Sequence, residues 1–226
     1  RQRQMCIRDS VGLVFVAAVI GPWLTGHDAF AQDLNARLVP PFWMEGGSFN
    51  HFLGTDQLGR DYLTRLVYGA RISLFIGVLT VLTSGVIGTG LGVLGGFYGG
   101  RVDDAVLFLI TCRLAIPVVL VALAVVGLIG SSLTLVVSTL GLLLWDRFAV
   151  VARATTMQIR TLDYVNAAWC SGSSAFTIMR EEILPNIASH LMVVCTLEIA
   201  LAILLEASLS FLGLGVPPPL PSWGLM

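Results

Sequence analysis

Two carboxylates, Glu198 and Glu206, stand inside an apolar run from Ile187 to Leu214 whose only other titratable side chains are His190 and Cys195. Ionisable groups at membrane depth are costly and face a bundle interior or water. Eight helical residues turn about 800°, which leaves these side chains about 80° apart, so they could flank one cavity. Other chemistry has little to work with. His27, His51 and His190 show no ligand spacing, and Cys6, Cys112, Cys170 and Cys195 form no CxxC pair, so neither a metal nor a cofactor is expected. Neither GxSxG nor HExxH occurs. All 13 basic residues are Arg, which removes the lysine needed by a Walker A loop or a Schiff base. Gly90-Leu91-Gly92-Val93-Leu94-Gly95 matches GxGxxG, but no strand precedes it and no acidic residue follows at about twenty positions. Read as Gly88, Gly92, Gly96 and Gly100, it is a ladder of small residues that lets helices approach closely in lipid.

The elements that must hold the two carboxylates follow from composition. Of 226 residues, 12% are charged and 56% hydrophobic, and the mean hydropathy is +0.86. A soluble domain, a disordered chain and a disulfide-stapled module are excluded. The net charge of −1 gives no reason to expect nucleic acid. An all-α polytopic membrane protein remains, because no segment alternates with the period of two that a barrel requires.

Residues 72–100 and 114–145 carry no charge. The first predicts one spanning helix. The second, with the apolar residues from Ala105, predicts helices over about 105–129 and 133–151, joined by a turn at Gly130-Ser131-Ser132. The run 187–214 is the fourth strong span. Val11–Leu24 reaches only about 21 Å, short of the roughly 30 Å of a bilayer core, and reads as a truncated first span. A signal peptide ending near Ala29-Phe30-Ala31 is the competing reading, and both put residue 32 outside the cytoplasm. Within residues 1–10, the run Gln4–Ser10 looks like translated adapter sequence.

Two polar segments interrupt the apolar runs. Residues 25–70 form one, in which Asp61 can N-cap a short interfacial helix lying along the membrane before Arg71. Arg113 is expected to snorkel, and Asp146-Arg147 to mark a helix end. The second polar segment, about 153–186, reads as helix, break at Ser171–Ser174, and helix, with Pro185 opening the next span. It has little apolar surface of its own to bury and wants a protein partner.

The motifs resemble those of permease subunits of dipeptide/oligopeptide-type ABC importers. They are Gly54-Thr55-Asp56-x-x-Gly59-Arg60-Asp61 with Tyr68–Ser73, Leu205–Gly215 with Pro221-Ser222-Trp223-Gly224, and Asn166-Ala167-Ala168-x-x-x-Gly172 with Ile183-Leu184-Pro185-Asn186. The resemblance covers about 51–226 and implies an ABC importer type-1 transmembrane domain over 71–226. Five of its usual six spans are present, the sixth being expected after Met226. It implies that Asn166, Ala167, Ala168, Gly172, Ile183, Leu184 and Pro185 belong to a cytoplasmic EAA loop that docks on an ATPase subunit. It also places Glu206, Ser208 and Ser210 in a motif near the outer end, which makes them, with Glu198, candidates for the translocation path or gate. Asn166 stands where the family usually has Glu, Asp146 where Pro is common, Val150 for a frequent Arg, and Arg113 where the family is apolar.

The implied protein sits in the bacterial inner membrane, surrounded by lipid. It makes no covalent bond change and moves peptides or a similar small solute. Its partners would be a second permease subunit, two ATP-binding subunits and an extracytoplasmic solute-binding protein. A channel or secondary transporter would predict an inverted repeat, which the sequence lacks. An intramembrane enzyme would need a nucleophile and base that the sequence does not pair.

Overall fold

The computed structural model describes residue 16, residues 18–21, residue 23 and residues 25–226. Most of the expected first span, and all of residues 1–10, lie outside the described residues. Residues 25–226 carry seven helices: α1 (Tyr62–Tyr98), α2 (Gly100–Leu114), α3 (Val118–Ile129), α4 (Leu133–Leu143), α5 (Asp146–Ile159), α6 (Asp163–Cys170) and α7 (Ala175–Phe211). Short 3-10 turns occur at Leu34–Ala36 and Trp223–Leu225. The described residues contain no strand, only an isolated bridge between Thr55 and Asp61. By length and apolarity, Tyr62–Tyr98, Leu133–Ile159 and Ala175–Phe211 can each cross a membrane, and α2 with α3 makes a fourth if the bent pair is one span.

Four boundaries differ from the sequence expectation. The interfacial helix and the next span are one helix, α1. Asp61 does cap it, accepting from the Thr64 amide at 2.8 Å and hydroxyl at 2.6 Å. Gly69 lies within it as a packing contact, where an added Cβ would meet Met226 and Trp223. The expected helix over 105–129 is broken at Ala115-Ile116-Pro117 with a bend of 75°. Pro117 lacks an N–H and disfavours helical backbone at Ile116. The expected helix over 133–151 breaks at Leu144-Trp145, so Asp146-Arg147 opens α5. Finally, Pro185 lies inside α7, whose second turn, Met179–Ile183, is wound as a π turn with Leu184 N–H bonded to Met179 O. That wider turn relieves the clash a proline ring makes with the carbonyl four residues back. The Asn186 side-chain amide donates to Glu182 O at 2.5 Å.

The described chain divides into two compact units: residues up to Phe75 with Glu206–Met226, and Ile76–Leu205. In the second, three of the four ladder glycines, Gly88, Gly92 and Gly96, pack as expected. A Cβ on Gly92 would lie 2.5 Å from Ala149 O, and one on Gly96 would lie 2.7 Å from Arg153 O. Gly88 faces Trp145 O and Phe148 in the same way, whereas Gly90 and Gly100 meet nothing within 4 Å. Helices α1 and α5 therefore touch backbone to backbone, and α7 adds Val194 to Val81 and Phe148.

In the first unit, residues 33–61 form a loop held by the Gly54–Asp61 motif. Thr55 Oγ1 donates to Ala36 O at 2.5 Å and accepts from Val39 N at 2.9 Å. Asp56 accepts from Leu58 N, Arg60 N and Arg60 Nε at 2.8, 3.0 and 2.7 Å. Burial pushes its carboxyl up, but the amides of Arg60 and Leu58 and the Arg60 guanidinium outweigh that and hold it below the ordinary value. Gly59, at φ +72°, packs against the Asp33 carbonyl where a side chain would not fit.

Candidate functional site

The segment after α5 is an elbow built from caps. Arg160 Nη1 donates to Phe97 O at 3.0 Å, satisfying a carbonyl at the C-terminal end of α1. Helix α6 starts with Asp163, whose charge suits an N-terminus. It ends in a Schellman arrangement: Gly172 N–H bonds to Trp169 O at 3.0 Å and Ser173 N–H to Ala168 O at 3.1 Å. Gly172 takes φ +84°, which a side chain disfavours. Ser174 then caps α7, accepting from Thr177 N at 3.2 Å.

One residue anchors α6. Val165 is fully buried against Val93, Ala152, Ile178, Ile183 and Ile187. Trp169 stacks on Phe97 at 6.0 Å while remaining 48% exposed. Asn166 and Ala167 face outward, as do Gly172, Leu184, Pro185 and Phe176. Ala168, which the resemblance places in the docking loop with Ala167, is half-buried on the apolar cluster. Ile183 is fully buried. Arg153 is bound to Asp103, with Arg153 Nη2 2.6 Å from Asp103 Oδ2, so the exposed elbow is shorter than the expected 153–186.

Glu206 and Ser210 come together, one helical turn apart on α7. Ser210 Oγ donates to Glu206 Oε1 at 2.6 Å, and Ser73 Oγ donates to Oε2 at 3.4 Å. Ser210 Oγ accepts from Val216 N at 3.3 Å and lies 3.2 Å from Ser222 Oγ. Trp223 N donates to Ser73 Oγ at 3.5 Å, and its indole donates to Leu66 O at 3.1 Å. Ser210 and Ser73, both bonded to Glu206, thus fasten the segment after α7 to α1, and all three of Glu206, Ser73 and Ser210 are buried. Ser208 lies exposed on another face of α7.

Glu198 does not share these partners. It is fully buried, with Arg147 Nη1 3.0 Å from its Oε1, although neither carboxylate oxygen receives a well-directed hydrogen bond. Arg113 does not snorkel. It donates through Nε to Leu143 O and through Nη1 to Ile116 O at 3.2 Å, and its Nη2 lies 3.9 Å from Asp146 Oδ1. Arg113 thereby satisfies carbonyls at two helix breaks. Arg113 and Asp146, two separate departures from the family pattern, are one buried pair. Their distance of 33 positions hid it from the sequence, where the usable signal was that opposite charges had appeared in two apolar settings.

The family model for the binding-protein-dependent transport system inner membrane component matches residues 88–226. The chain belongs to this family. It is therefore an inner-membrane transport component rather than an enzyme, and the all-α polytopic reading stands. A dipeptide transport system permease protein of Bacillus subtilis is 39% identical over 213 residues, covering 94% of this chain and 65% of that protein. A di/tripeptide permease protein of Pseudomonas aeruginosa is 39% identical over 214 residues, covering 95% of this chain and 71% of that protein. A glutathione transport system permease protein of Pectobacterium atrosepticum is 40% identical over 182 residues, 80% of this chain and 60% of that protein. The chain thus spans about two thirds of the Bacillus relative's length.

Proposed function

We propose that this family member is a membrane-spanning permease subunit of an ATP-driven importer for peptides or a similar small solute. It would form part of the translocation path beside a second permease subunit, with two ATP-binding subunits and an extracytoplasmic solute-binding protein. The similarity to dipeptide and di/tripeptide permeases supports the solute class.

The observation that carries the coupling role is the elbow at α6. Its inner side is fixed by Val165, and its outer side offers Ala167, Trp169 and Phe176 to a partner. ATP hydrolysed by the partner would then shift the permease between two packings of its helices. Glu206, Ser210 and Ser73 act as a latch beside the path, and the buried Glu198 as a brace for the exposed Arg147.

The test is co-purification of the ATP-binding subunits with the full-length permease carrying Ala167→Glu. Position 167 is exposed, so the chain should stay folded while the subunits are lost and solute-stimulated hydrolysis falls. Normal subunit stoichiometry with normal stimulation would overturn the coupling role.

A further inference from the structure

We propose that His27, His51 and Asp61 form a binding site for a first-row divalent cation of the kind that prefers imidazole, such as Zn²⁺. A ring nitrogen from each histidine and a carboxylate oxygen of Asp61 lie within 4.8 Å of one another. The three residues come from separate stretches of the first unit, so no sequence spacing announces them. His51 Nδ1 stands 3.1 Å from Asp61 Oδ1. Ligand atoms on a tetrahedral zinc ion sit about 3.4 Å apart, given metal–ligand lengths near 2.0–2.1 Å. A cation replacing the proton in that bond needs little movement of either group, with His51 carrying its proton on Nε2.

The surroundings already orient the donors. Asp61 Oδ2 is held by the Thr64 amide and hydroxyl, which leaves Oδ1 turned to His51. His27 Nε2 bonds to Asn50 O at 2.8 Å, and the two imidazoles stack at 5.2 Å. Outer bonds of this kind fix ring orientation at metal centres. His27 is exposed, so a small side-chain rotation can close the remaining distance. A cavity of about 500 Å³, lined by His27, Asp61, Phe49 and Phe52, gives an entry route and room for water as a further ligand. A bound cation would tie the stretch around His27 to the 48–54 loop and to the cap of α1.

The test uses the purified full chain in detergent, without a histidine tag and with thiols alkylated, because Cys112 and Cys170 are exposed. Titration with Zn²⁺ should give one equivalent per chain, and Co²⁺ should give the d–d absorption of a nitrogen- and oxygen-ligated site. His27→Gln, at an exposed position, should weaken binding roughly tenfold or more. His51→Gln should do the same, and His190→Gln should leave binding unchanged. Equal Zn²⁺ binding by wild type and His27→Gln, or equal loss in His190→Gln, overturns the site. The readout is metal bound by this chain alone, so a negative result leaves the transport reading untouched.

Discussion

Substitution of Gly172 tests whether the elbow depends on backbone conformation or on space. The glycine sits at φ +84°, and an added Cβ would meet nothing within 4 Å. The Cβ therefore meets no crowding, and the penalty it carries is that of the left-handed backbone. For an ordinary side chain that penalty is about 1–2 kcal/mol; Asn tolerates the region well, and a β-branched residue tolerates it worst. The expected costs are a few tenths of a kcal/mol for Gly172→Asn, about 1 for Gly172→Ala and about 2 or more for Gly172→Val. The bonds at risk are Gly172 N–H to Trp169 O and Ser173 N–H to Ala168 O. At 1.4 kcal/mol per decade, exchange of those two amides should rise less than threefold for Asn, about fivefold for Ala and roughly thirtyfold for Val. Peptide-resolved hydrogen exchange over 169–176 measures this, and retention of the ATP-binding subunits should follow the same order. Asn and Val are similar in size, so equal effects from the two would refute the backbone argument. Wild-type exchange in the Val variant would refute the capping role altogether.

Three other outcomes follow from packing and charge. Glu206→Leu strands the Ser210 and Ser73 hydroxyls and should cost about 2–4 kcal/mol in a detergent unfolding titration, impairing assembly and transport, whereas Glu206→Gln keeps an acceptor for Ser210 and should cost about 1; equal loss from both would sink the latch. Gly92→Ala drives a methyl toward Ala149 O and should destabilise the chain by about 1–3 kcal/mol, while Gly90→Ala, facing open space, should be neutral or slightly stabilising; the reverse ranking would disprove the ladder. The Asp56 carboxyl is held below its ordinary value of 3.8, so its stabilisation is complete above that value and fades only as pH falls through the lowered folded one. Asp56→Asn should reduce stability at neutral pH and flatten the acid limb of the stability profile, and an unchanged acid limb would contradict the assignment.

The spans and the elbow were legible because each rests on local signals. Uncharged runs of helical length, glycines every fourth position, and the break at Gly172 can all be read without knowing the fold, although the helix after the break runs on to Phe211. The errors came from signals that act at a distance. Pro117 was masked by the apolar residues around it. The packing role of Gly69 could not be read locally because its neighbour there, Trp223, is 154 positions away. The Arg113–Asp146 pair and the histidines beside Asp61 depend on chain crossings that spacing does not encode. Ala168 faces inward because Val165 fixes the rotation of α6, and one anchor residue is too weak a periodic signal to set a helix face.

The π turn in α7 makes the chain one residue longer there than an α-helix would need. Ile178 and Ile183 are both fully buried five positions apart, and Ile187 follows at four. A five-residue step returns to the same side only through a widened turn, so the spare residue keeps the helix in phase with its buried stripe. A one-residue deletion elsewhere in α7 would rotate every later side chain by about 100° and turn Glu198 and Glu206 away from their partners. A deletion within 179–183 would preserve the phase but return the Pro185 ring to a tight turn, at about 3 kcal/mol. Evolutionary loss of that residue is thus tied to loss of the proline, and any length variation among homologues in this helix should fall at this turn, with the two changes inherited together.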